Sequence, residues 1–156
     1  MLKILMVCMG NICRSPMARV VAQNMARHQG RQSEFFFDSA GTHAHHTGEQ
    51  PDQRARNVLL SKGYVVDKSR SRKVKVEDFE QFDLVLAMDR NNLLSLEKIC
   101  PAQHQGKLRL LLDFAAEQDA REVPDPYYGN LAGFERVLEL CEAGAKGLLS
   151  ARTLKP

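Results

Sequence analysis

Four short, mainly apolar segments divide the chain. They cover residues 4–7, 35–37, 84–87 and 108–112, and Arg109 is the one polar residue among them. Continuous apolar segments of this length are typical of strands that are buried on both faces of a sheet. The sequence therefore predicts four central strands.

Elsewhere in the chain, apolar residues recur at helical spacing. One such face consists of Ala18, Val21, Ala22 and Met25, and a longer one near the C-terminus consists of Phe134, Val137, Leu138, Cys141, Ala145 and Leu148. Strands that alternate with amphipathic helices predict an α/β fold, a four-stranded parallel sheet with helices on both faces and a site at the carboxyl ends of the strands. No repeat or linker interrupts the pattern, so we expect one domain over residues 1–156.

The first apolar run leads directly into Cys-Met-Gly-Asn-Ile-Cys-Arg-Ser-Pro at residues 8–16. Ser15 is a typical helix cap and Pro16 suits the first helical position, so the segment is predicted to join a strand end to a helix N-terminus. Such a junction gathers unpaired backbone N–H groups at the positive end of the helix dipole, which favours a bound anion. Gly10 and Asn11 readily adopt left-handed backbone angles, and they would let the loop curl around one centre.

Arg14 completes this predicted phosphate loop. Its planar guanidinium can hold two oxygens of one phosphoryl group, a geometry that lysine cannot reproduce. The predicted phosphate-binding residues are Met9, Gly10, Asn11, Ile12, Cys13 and Ser15, beside Cys8 and Arg14.

Cys8 lies in the same electrostatic field, so the groups that hold a phosphate would also stabilise its thiolate. An ordinary thiol is only about 3% ionised at pH 7, and this stabilisation would make Cys8 a nucleophile. Ser15 has two candidate roles, to cap the helix or to donate a hydrogen bond to the Cys8 sulfur, and the sequence leaves both open.

Two other interpretations of Cys8 are weaker. A lone cysteine at a strand end is usually a small core residue, but the surrounding loop favours catalysis. A zinc site that combines Cys8 and Cys13 with His43, His45 and His46 is disfavoured, because the histidines lack the usual helical spacing. We therefore expect no metal.

Composition bounds the remaining function classes. The chain has 156 residues, is 44% hydrophobic and has a formal net charge of +3, which suits one folded domain. Basic residues are scattered except in the run at 68–73, which is either a solvated surface or an attraction for acidic or phosphorylated partners. No nucleic-acid recognition motif is present, so we expect no nucleic-acid partner.

The N-terminus and the cysteines indicate a compartment. Four cysteines occur without a signal-like N-terminus, and no apolar stretch approaches the ~18 residues of a membrane span. Reduced cysteines are typical of the cell interior. We expect a cytoplasmic protein that does not bind membranes.

The loop resembles that of the low-molecular-weight protein tyrosine phosphatases, bacterial type, in which Cys, five residues, Arg and then Ser or Thr follow one another. The resemblance extends along the whole chain and includes Asp-Ser-Ala-Gly-Thr at 38–42, Pro-Asp-Gln-Arg-Ala at 51–55, Met-Asp at 88–89 and Asp-Pro-Tyr-Tyr-Gly at 125–129. It implies one Rossmann-like phosphatase domain that needs no cofactor and acts on phosphotyrosine-containing proteins.

The resemblance also implies roles for single residues. Cys8 attacks phosphorus while Asp125 protonates the leaving phenol, and Asp125 then activates the water that hydrolyses the phosphocysteine. Arg14 and the loop amides stabilise the transferring phosphoryl group. Without the resemblance, Asp125 would be interpreted as a turn residue. Cys13 would form a reversible disulfide that protects Cys8, or would only pack, and both alternatives stay open.

The sequence departs from the family pattern at two places. Ser69 stands where many members have a histidine that supports the loop, so this support would be rearranged. His45 lies near the position at which members often place an aromatic side chain at the edge of the cleft, whereas His43 is expected to be a solvated loop residue. The predicted cleft rim consists of His45, Tyr127 and Tyr128, with His46 beside it.

Three alternative functions share parts of this pattern. Arsenate reductases use the same fold and loop, but they relay oxidation through closely spaced downstream cysteines, which Cys100 and Cys141 do not provide. Protein-arginine phosphatases typically carry threonine where this chain has Ile12, and an apolar Ile12 favours an aromatic ring over a guanidinium. A non-catalytic phosphotyrosine-binding module would be expected to lack Cys8 or Asp125.

The partners that the resemblance implies are phosphotyrosine-containing proteins. Bacterial members often act on tyrosine kinases that control exopolysaccharide export, so a bacterial tyrosine kinase is one candidate substrate. For the oligomeric state we expect a monomer or a weak dimer.

Overall fold

The computed structural model describes residues 1–151. The strands are β1 (Leu2–Cys8), β2 (Phe35–Gly41), β3 (Leu84–Ala87) and β4 (Leu108–Leu110). The helices are α1 (Arg14–His28), α2 (Gln53–Ser61), α3 (Val76–Gln81), α4 (Arg90–Ile99) and α5 (Leu131–Ser150). Short 3₁₀ helices cover Gln32–Glu34, Ala102–Lys107 and Leu111–Phe114.

The strands form one parallel sheet in the order β2-β1-β3-β4. β1 is therefore central, with Cys8 opposite Gly41 of β2 and Val7 opposite Ala87 of β3. In such a sheet, a ligand binds outside the carboxyl ends of the strands, where neighbouring connections leave in opposite directions. Cys8, the last residue of β1, lies at that position.

Both faces of the sheet are covered by helices, as the apolar runs predicted. Successive residues of β1 point to opposite faces, so Ile4 and Met6 join one core while Leu5 and Val7 join the other. Helices α1, α2 and α5 pack on the first face, and α3 and α4 pack on the second.

One predicted strand boundary was wrong. The fourth strand ends at Leu110, and Leu111 and Leu112 belong to a 3₁₀ helix that points them into the core beneath α1 and α5. An apolar run cannot by itself distinguish a buried strand from a buried helical turn. Within residues 1–151, no helix is long and apolar enough to cross a membrane.

Candidate active site

A cleft opens at the carboxyl end of β1, between the loop that enters α1 and two later loops. It is lined by Cys8, Met9, Gly10, Ile12, Cys13, Arg14, His45, His46, Asp125, Tyr127 and Tyr128. All three predicted catalytic residues and all three predicted rim residues therefore meet in one place. Of the predicted phosphate-binding residues, Asn11 and Ser15 do not line the cleft. They lie behind the lining residues and support them through hydrogen bonds.

The Cys8 sulfur has two hydrogen-bond partners at the base of the cleft. The Asn11 backbone N–H donates to Sγ over 3.3 Å, and the Ser15 hydroxyl oxygen lies 3.0 Å from Sγ. Asn11 Nδ2 in turn donates to the Ser15 oxygen over 2.8 Å, and the Ser15 hydroxyl has two acceptors within reach, the Cys8 sulfur at 3.0 Å and the Ala40 carbonyl at 3.4 Å. Only 3% of Cys8 is exposed, so a thiolate here depends on these partners in place of water.

Ser15 contacts the Cys8 sulfur and does not cap the helix, which resolves the choice that the sequence left open. Helix α1 begins at Arg14, so Ser15 already lies within the helix. The N-cap residue is Cys13, and its side chain makes no capping hydrogen bond. The prediction of Pro16 at the first helical position was therefore wrong. Pro16 is the third helical residue, where a backbone N–H would still have no partner within the helix.

The two residues that were predicted to curl the loop behave differently. Asn11 has a φ of +57°, in the left-handed region, whereas Gly10 does not have a positive φ. A Cβ at Gly10 would lie 3.0 Å from Cδ2 of His46, so a larger residue there would require the His46 ring to move by a few tenths of an ångström. The expectation for Asn11 is confirmed, and that for Gly10 was wrong.

Arg14 is almost completely buried, with 2% of its side chain exposed. Its Nη1 donates to Asp89 Oδ2 over 2.5 Å and to the Val123 carbonyl over 3.1 Å, and its Nη2 lies 3.8 Å from Asp125 Oδ2. Burial alone would lower the pKa of the guanidinium, but the negative charges at Cys8, Asp89 and Asp125 outweigh burial and raise it. Arg14 is thus a fixed cation in the cleft.

Asp89 and Gly41 are supporting residues whose roles the sequence did not reveal. Asp89 holds Arg14 and also caps α4 by accepting a hydrogen bond from the Asn92 backbone N–H. A Cβ at Gly41 would lie 2.7 Å from the Met9 carbonyl oxygen, so only glycine lets β2 approach the loop this closely. The signal for Asp89 was present as an N-cap aspartate directly after a strand.

Asp125 enters the cleft from the loop before α5. The side chain is 42% exposed, and its Oδ1 accepts a hydrogen bond from the Tyr127 backbone N–H over 3.0 Å. This local hydrogen bond is typical of an aspartate in a turn. The second carboxylate oxygen, Oδ2, faces Arg14. Asp125 is therefore a turn residue whose carboxylate also lines the cleft.

The rim is built from histidine and tyrosine rings. His46 packs against Tyr127 with ring centroids 6.0 Å apart, and Tyr128 meets Tyr127 edge-on at 4.9 Å. His46 Nδ1 also bonds to the Glu49 carboxylate. The His45 ring instead stacks on the ring of exposed His43, with centroids 5.5 Å apart. His46 is therefore the rim histidine that contacts Tyr127.

Cys13 lines the same cleft as Cys8, and all four cysteines are free thiols. Burial and then the nearby Asp52 and Cys8 charges raise the pKa of the Cys13 thiol to about 12. Cys13 therefore stays protonated at neutral pH. The reversible disulfide with Cys8 stays a prediction.

Ser69 does not support the phosphate loop. Its backbone N–H donates to Asp67 Oδ1 over 3.1 Å, and its side chain makes no hydrogen bond to the loop. Support comes from the next two residues. The Ser71 hydroxyl donates to the Gly10 carbonyl over 3.0 Å, and the Arg72 backbone N–H donates to Asn11 Oδ1 over 3.0 Å. In residues 1–151, no group of three or more histidine, cysteine or acidic side chains is arranged to hold a metal.

Comparison with known proteins gives one consistent result. Residues 3–155 match the family model of the low molecular weight phosphotyrosine protein phosphatases. A low molecular weight protein-tyrosine-phosphatase of Streptomyces coelicolor is 40% identical, with 96% of this chain and 92% of the relative covered. The crystal structure of a protein tyrosine phosphatase from Entamoeba histolytica is 42% identical with a TM-score of 0.92, and the match covers 96% of this chain and 95% of that one. A Drosophila arginine phosphatase has the same fold, with a TM-score of 0.89, 27% identity and coverage of 97% and 100%.

Proposed function

The chain belongs to the low molecular weight phosphotyrosine protein phosphatase family, and from this premise we propose which of its residues hydrolyse phosphotyrosine in proteins. The observation that carries the assignment is the meeting of Cys8, Arg14 and Asp125 in one cleft, with two hydrogen-bond partners on the Cys8 sulfur. These three residues supply a nucleophile, a phosphate ligand and an acid.

In the first step, Cys8 attacks phosphorus in line with the departing phenol. The sulfur–phosphorus bond forms as the phosphorus–oxygen ester bond breaks, and Asp125 gives its proton to the phenolate oxygen. Arg14 and the loop N–H groups bind the three equatorial oxygens, where negative charge concentrates. The Ser15 hydroxyl donates to sulfur and stabilises the thiolate before the attack.

In the second step, water hydrolyses the phosphocysteine. Asp125, now a carboxylate, takes a proton from the water while the water oxygen attacks phosphorus, and the bond to the Cys8 sulfur breaks. Inorganic phosphate leaves, and the thiolate and the protonated acid are restored. Every proton transfer uses a residue that lines the cleft.

Ile12 supports the preference for an aromatic substrate. Its buried side chain lines the cleft near Cys8, and the Tyr127 and His46 rings pack together at the rim and add aromatic surface there. An apolar wall stabilises a phenyl ring but leaves a guanidinium without hydrogen-bond partners. The chain is thus proposed to favour phosphotyrosine over phosphoarginine.

The test is steady-state hydrolysis of matched phosphotyrosine and phosphoarginine peptides without added metal. Wild type should prefer phosphotyrosine, Cys8→Ser should be inactive, and Asp125→Ala should lose about 100-fold or more in kcat, as is typical when a general acid is removed. Asp119→Asn, a surface aspartate outside the cleft, is the matched control and should retain full activity. Turnover by Cys8→Ser would refute the covalent scheme, and a preference for phosphoarginine would refute the Ile12 argument.

The remaining expectations join this proposal. We propose one domain over residues 1–156 that acts in the cytoplasm as a monomer or weak dimer, with a bacterial tyrosine kinase as a candidate substrate. Four free, buried cysteines are typical of a reducing compartment, which supports this location. Capture of phosphotyrosine proteins by Cys8→Ser, which keeps the loop but cannot form the intermediate, would test the substrate assignment.

A further inference from the structure

Arg54, the second residue of α2, packs against the segment that carries Asp125. Its Cζ atom lies 5.5 Å from the centroid of the Tyr127 ring and 4.7 Å from that of the Phe134 ring. Phe134 is a fully buried residue of α5, and Tyr127 follows Asp125 by two positions. A guanidinium over aromatic rings is an attractive contact, so Arg54 connects Tyr127 to the core. Arg54 is not among the residues that line the cleft.

Asp52 fixes the orientation of the Arg54 guanidinium. Nε donates to Oδ1 over 3.0 Å and Nη2 donates to Oδ2 over 2.9 Å, so the ion pair is bidentate. Asp52 is also the N-cap residue of α2, because its Oδ1 accepts a hydrogen bond from the Arg54 backbone N–H. The hydrogen bonds from Arg54 outweigh burial and hold the pKa of Asp52 below its ordinary value. The pair is therefore charged at neutral pH.

Asp52 is in turn joined to the phosphate loop. Its backbone N–H donates to the Ile12 carbonyl over 2.7 Å, and Ile12 belongs to the loop that begins at Cys8. A continuous series of contacts therefore runs from the phosphate loop through Asp52 and Arg54 to Tyr127. It connects the loop of the nucleophile to the segment of the acid.

The segment that carries Asp125 has few backbone attachments. Within residues 1–151, no backbone–backbone hydrogen bond joins residues 124–129 to another element, and the Tyr127 N–H donates to Asp125 itself. Side-chain contacts must therefore hold this segment in place. Among these contacts, Arg54 links the Tyr127 ring to buried Phe134 as well as to the phosphate loop.

We propose that Arg54 is a positioning residue, which holds Tyr127 and thereby keeps the Asp125 carboxylate within reach of the oxygen that leaves when Cys8 attacks. This inference rests on the proposed function and adds a residue that controls its acid. A general acid acts only within hydrogen-bond distance of the leaving oxygen, and a misplacement of about 1 Å can cost about 100-fold in rate.

The experiment compares kcat/KM, which reports the step that forms the phosphocysteine, for phenyl phosphate and para-nitrophenyl phosphate. Phenolate needs a proton in order to leave, whereas para-nitrophenolate leaves readily without one. Arg54→Met keeps the length of the side chain but loses its charge and its planar fork. The phenyl to para-nitrophenyl ratio of kcat/KM should fall about five-fold or more, with para-nitrophenyl phosphate itself within about three-fold of wild type.

Two further variants separate positioning from a general loss of structure. Arg54→Lys keeps a charge beside Asp52 and so protects the fold, but it lacks the planar fork, and the same ratio should fall about two-fold or more. In an Asp125→Ala background, Arg54→Met should leave the ratio unchanged, because the acid that Arg54 positions is already absent.

Arg31→Met is the matched control. The Arg31 Cζ atom lies 5.0 Å from the centroid of the Phe35 ring, and its guanidinium pairs with Glu34, so both kinds of contact that Arg54 makes are present. Phe35 begins β2 and lies opposite Leu2, at the other end of the sheet from Cys8. Arg31→Met should keep the wild-type ratio and the wild-type turnover of both esters.

The outcomes distinguish the positioning role from the proposed function. Equal losses on both esters, an unchanged ratio in Arg54→Met and Arg54→Lys, or a further fall of the ratio in the Asp125→Ala background would overturn the role of Arg54 while the phosphatase assignment stands. A wild-type protein that hydrolyses neither ester would instead refute the proposed function.

Discussion

At the scale of single residues, Asn11 shows how one backbone conformation assembles a site. Its left-handed φ turns the backbone N–H toward the Cys8 sulfur, and its side chain then reaches Ser15 and the Arg72 backbone. Asparagine tolerates this conformation better than most residues and also offers a donor and an acceptor. Glycine would keep the turn but lose both side-chain bonds.

The rim histidines give a prediction at the same scale. His46→Ala removes the ring that packs against Tyr127 and with it part of the aromatic surface at the rim. KM for phosphotyrosine peptides should therefore rise about three- to ten-fold, with kcat nearly unchanged. His45→Ala is the matched control, because the His45 ring stacks on His43 and should shift KM by less than two-fold. Steady-state kinetics on one peptide measures both. A larger effect of His45→Ala would contradict the assignment of His46 as the rim histidine that packs against Tyr127.

At the scale of secondary-structure elements, helix α1 is fixed by a buried cation as well as by its apolar face. Arg19 is 1% exposed, and its guanidinium bonds to Ser39 of β2 and to Asp67, which follows α2. Burial would raise the pKa of Asp67, but the Arg19 charge and hydrogen bonds from Ser69 outweigh burial and lower it. The pair connects α1, the helix that follows Cys8, to the segment after α2.

A lowered native pKa makes the Asp67 contribution dependent on pH. The stabilisation is present above the unfolded pKa of about 4 and is lost as the pH falls through the native pKa. Asp67→Asn should lower the free energy of unfolding at pH 7 by about 1–2 kcal/mol, less than for a fully buried pair because Asp67 is 41% exposed. Urea unfolding at pH 7 and at pH 3 measures the difference, which should shrink at pH 3.

Asp119→Asn serves as the control for this titration, since Asp119 is exposed and forms no ion pair within residues 1–151. Its stability should match wild type at both pH values. An Asp67→Asn loss of equal size at pH 3 would show that the effect does not come from the charge of Asp67.

Helix α5 packs closely against the 3₁₀ helix at Leu111–Phe114 because glycines of α5 face it. This contact gives a second prediction at the scale of secondary-structure elements. A Cβ at Gly147 would overlap the Phe114 carbonyl oxygen, so Gly147→Ala should cost about 1–3 kcal/mol of stability. Gly133→Ala is the matched change in the same helix, where a Cβ meets only Pro126 Cβ at 3.7 Å. It should be neutral or stabilise by up to about 0.8 kcal/mol through helix propensity. Thermal unfolding distinguishes the two, and equal effects would contradict the packing argument.

At the scale of the whole molecule, the site depends on the strand order. β1 carries Cys8 to the middle of the sheet, β2 brings Gly41 beside it, and the segment after β3 brings Asp89 to Arg14. Val123, far along the chain, offers its carbonyl to the same guanidinium. Phosphate binding should therefore stabilise the fold as a whole.

Inorganic phosphate provides the test at this scale. At ten times its Kd, phosphate should stabilise the native state by about 1.4 kcal/mol and raise Tm by about 3–6 °C for a chain of this size. Arg14→Lys keeps the charge but loses the planar fork, so more than half of the shift should disappear. Lys3→Gln, remote from the cleft, should keep the full shift. A shift that Arg14→Lys leaves intact would show that phosphate binds elsewhere.

The sequence by itself determined the features that are local. Continuous apolar runs define the strands because a strand buried on both faces admits few polar residues, and Cys8 and Arg14 share a loop because six positions separate them. Tertiary structure decided the supports, since Ser71, Asp89 and Val123 reach the loop from 61 to 109 residues away. Contacts at such separations leave no periodic signal in a single chain. Only the tertiary structure showed that His46, and not His45, contacts Tyr127, because this depends on how the whole loop packs against Gly10 and Tyr127.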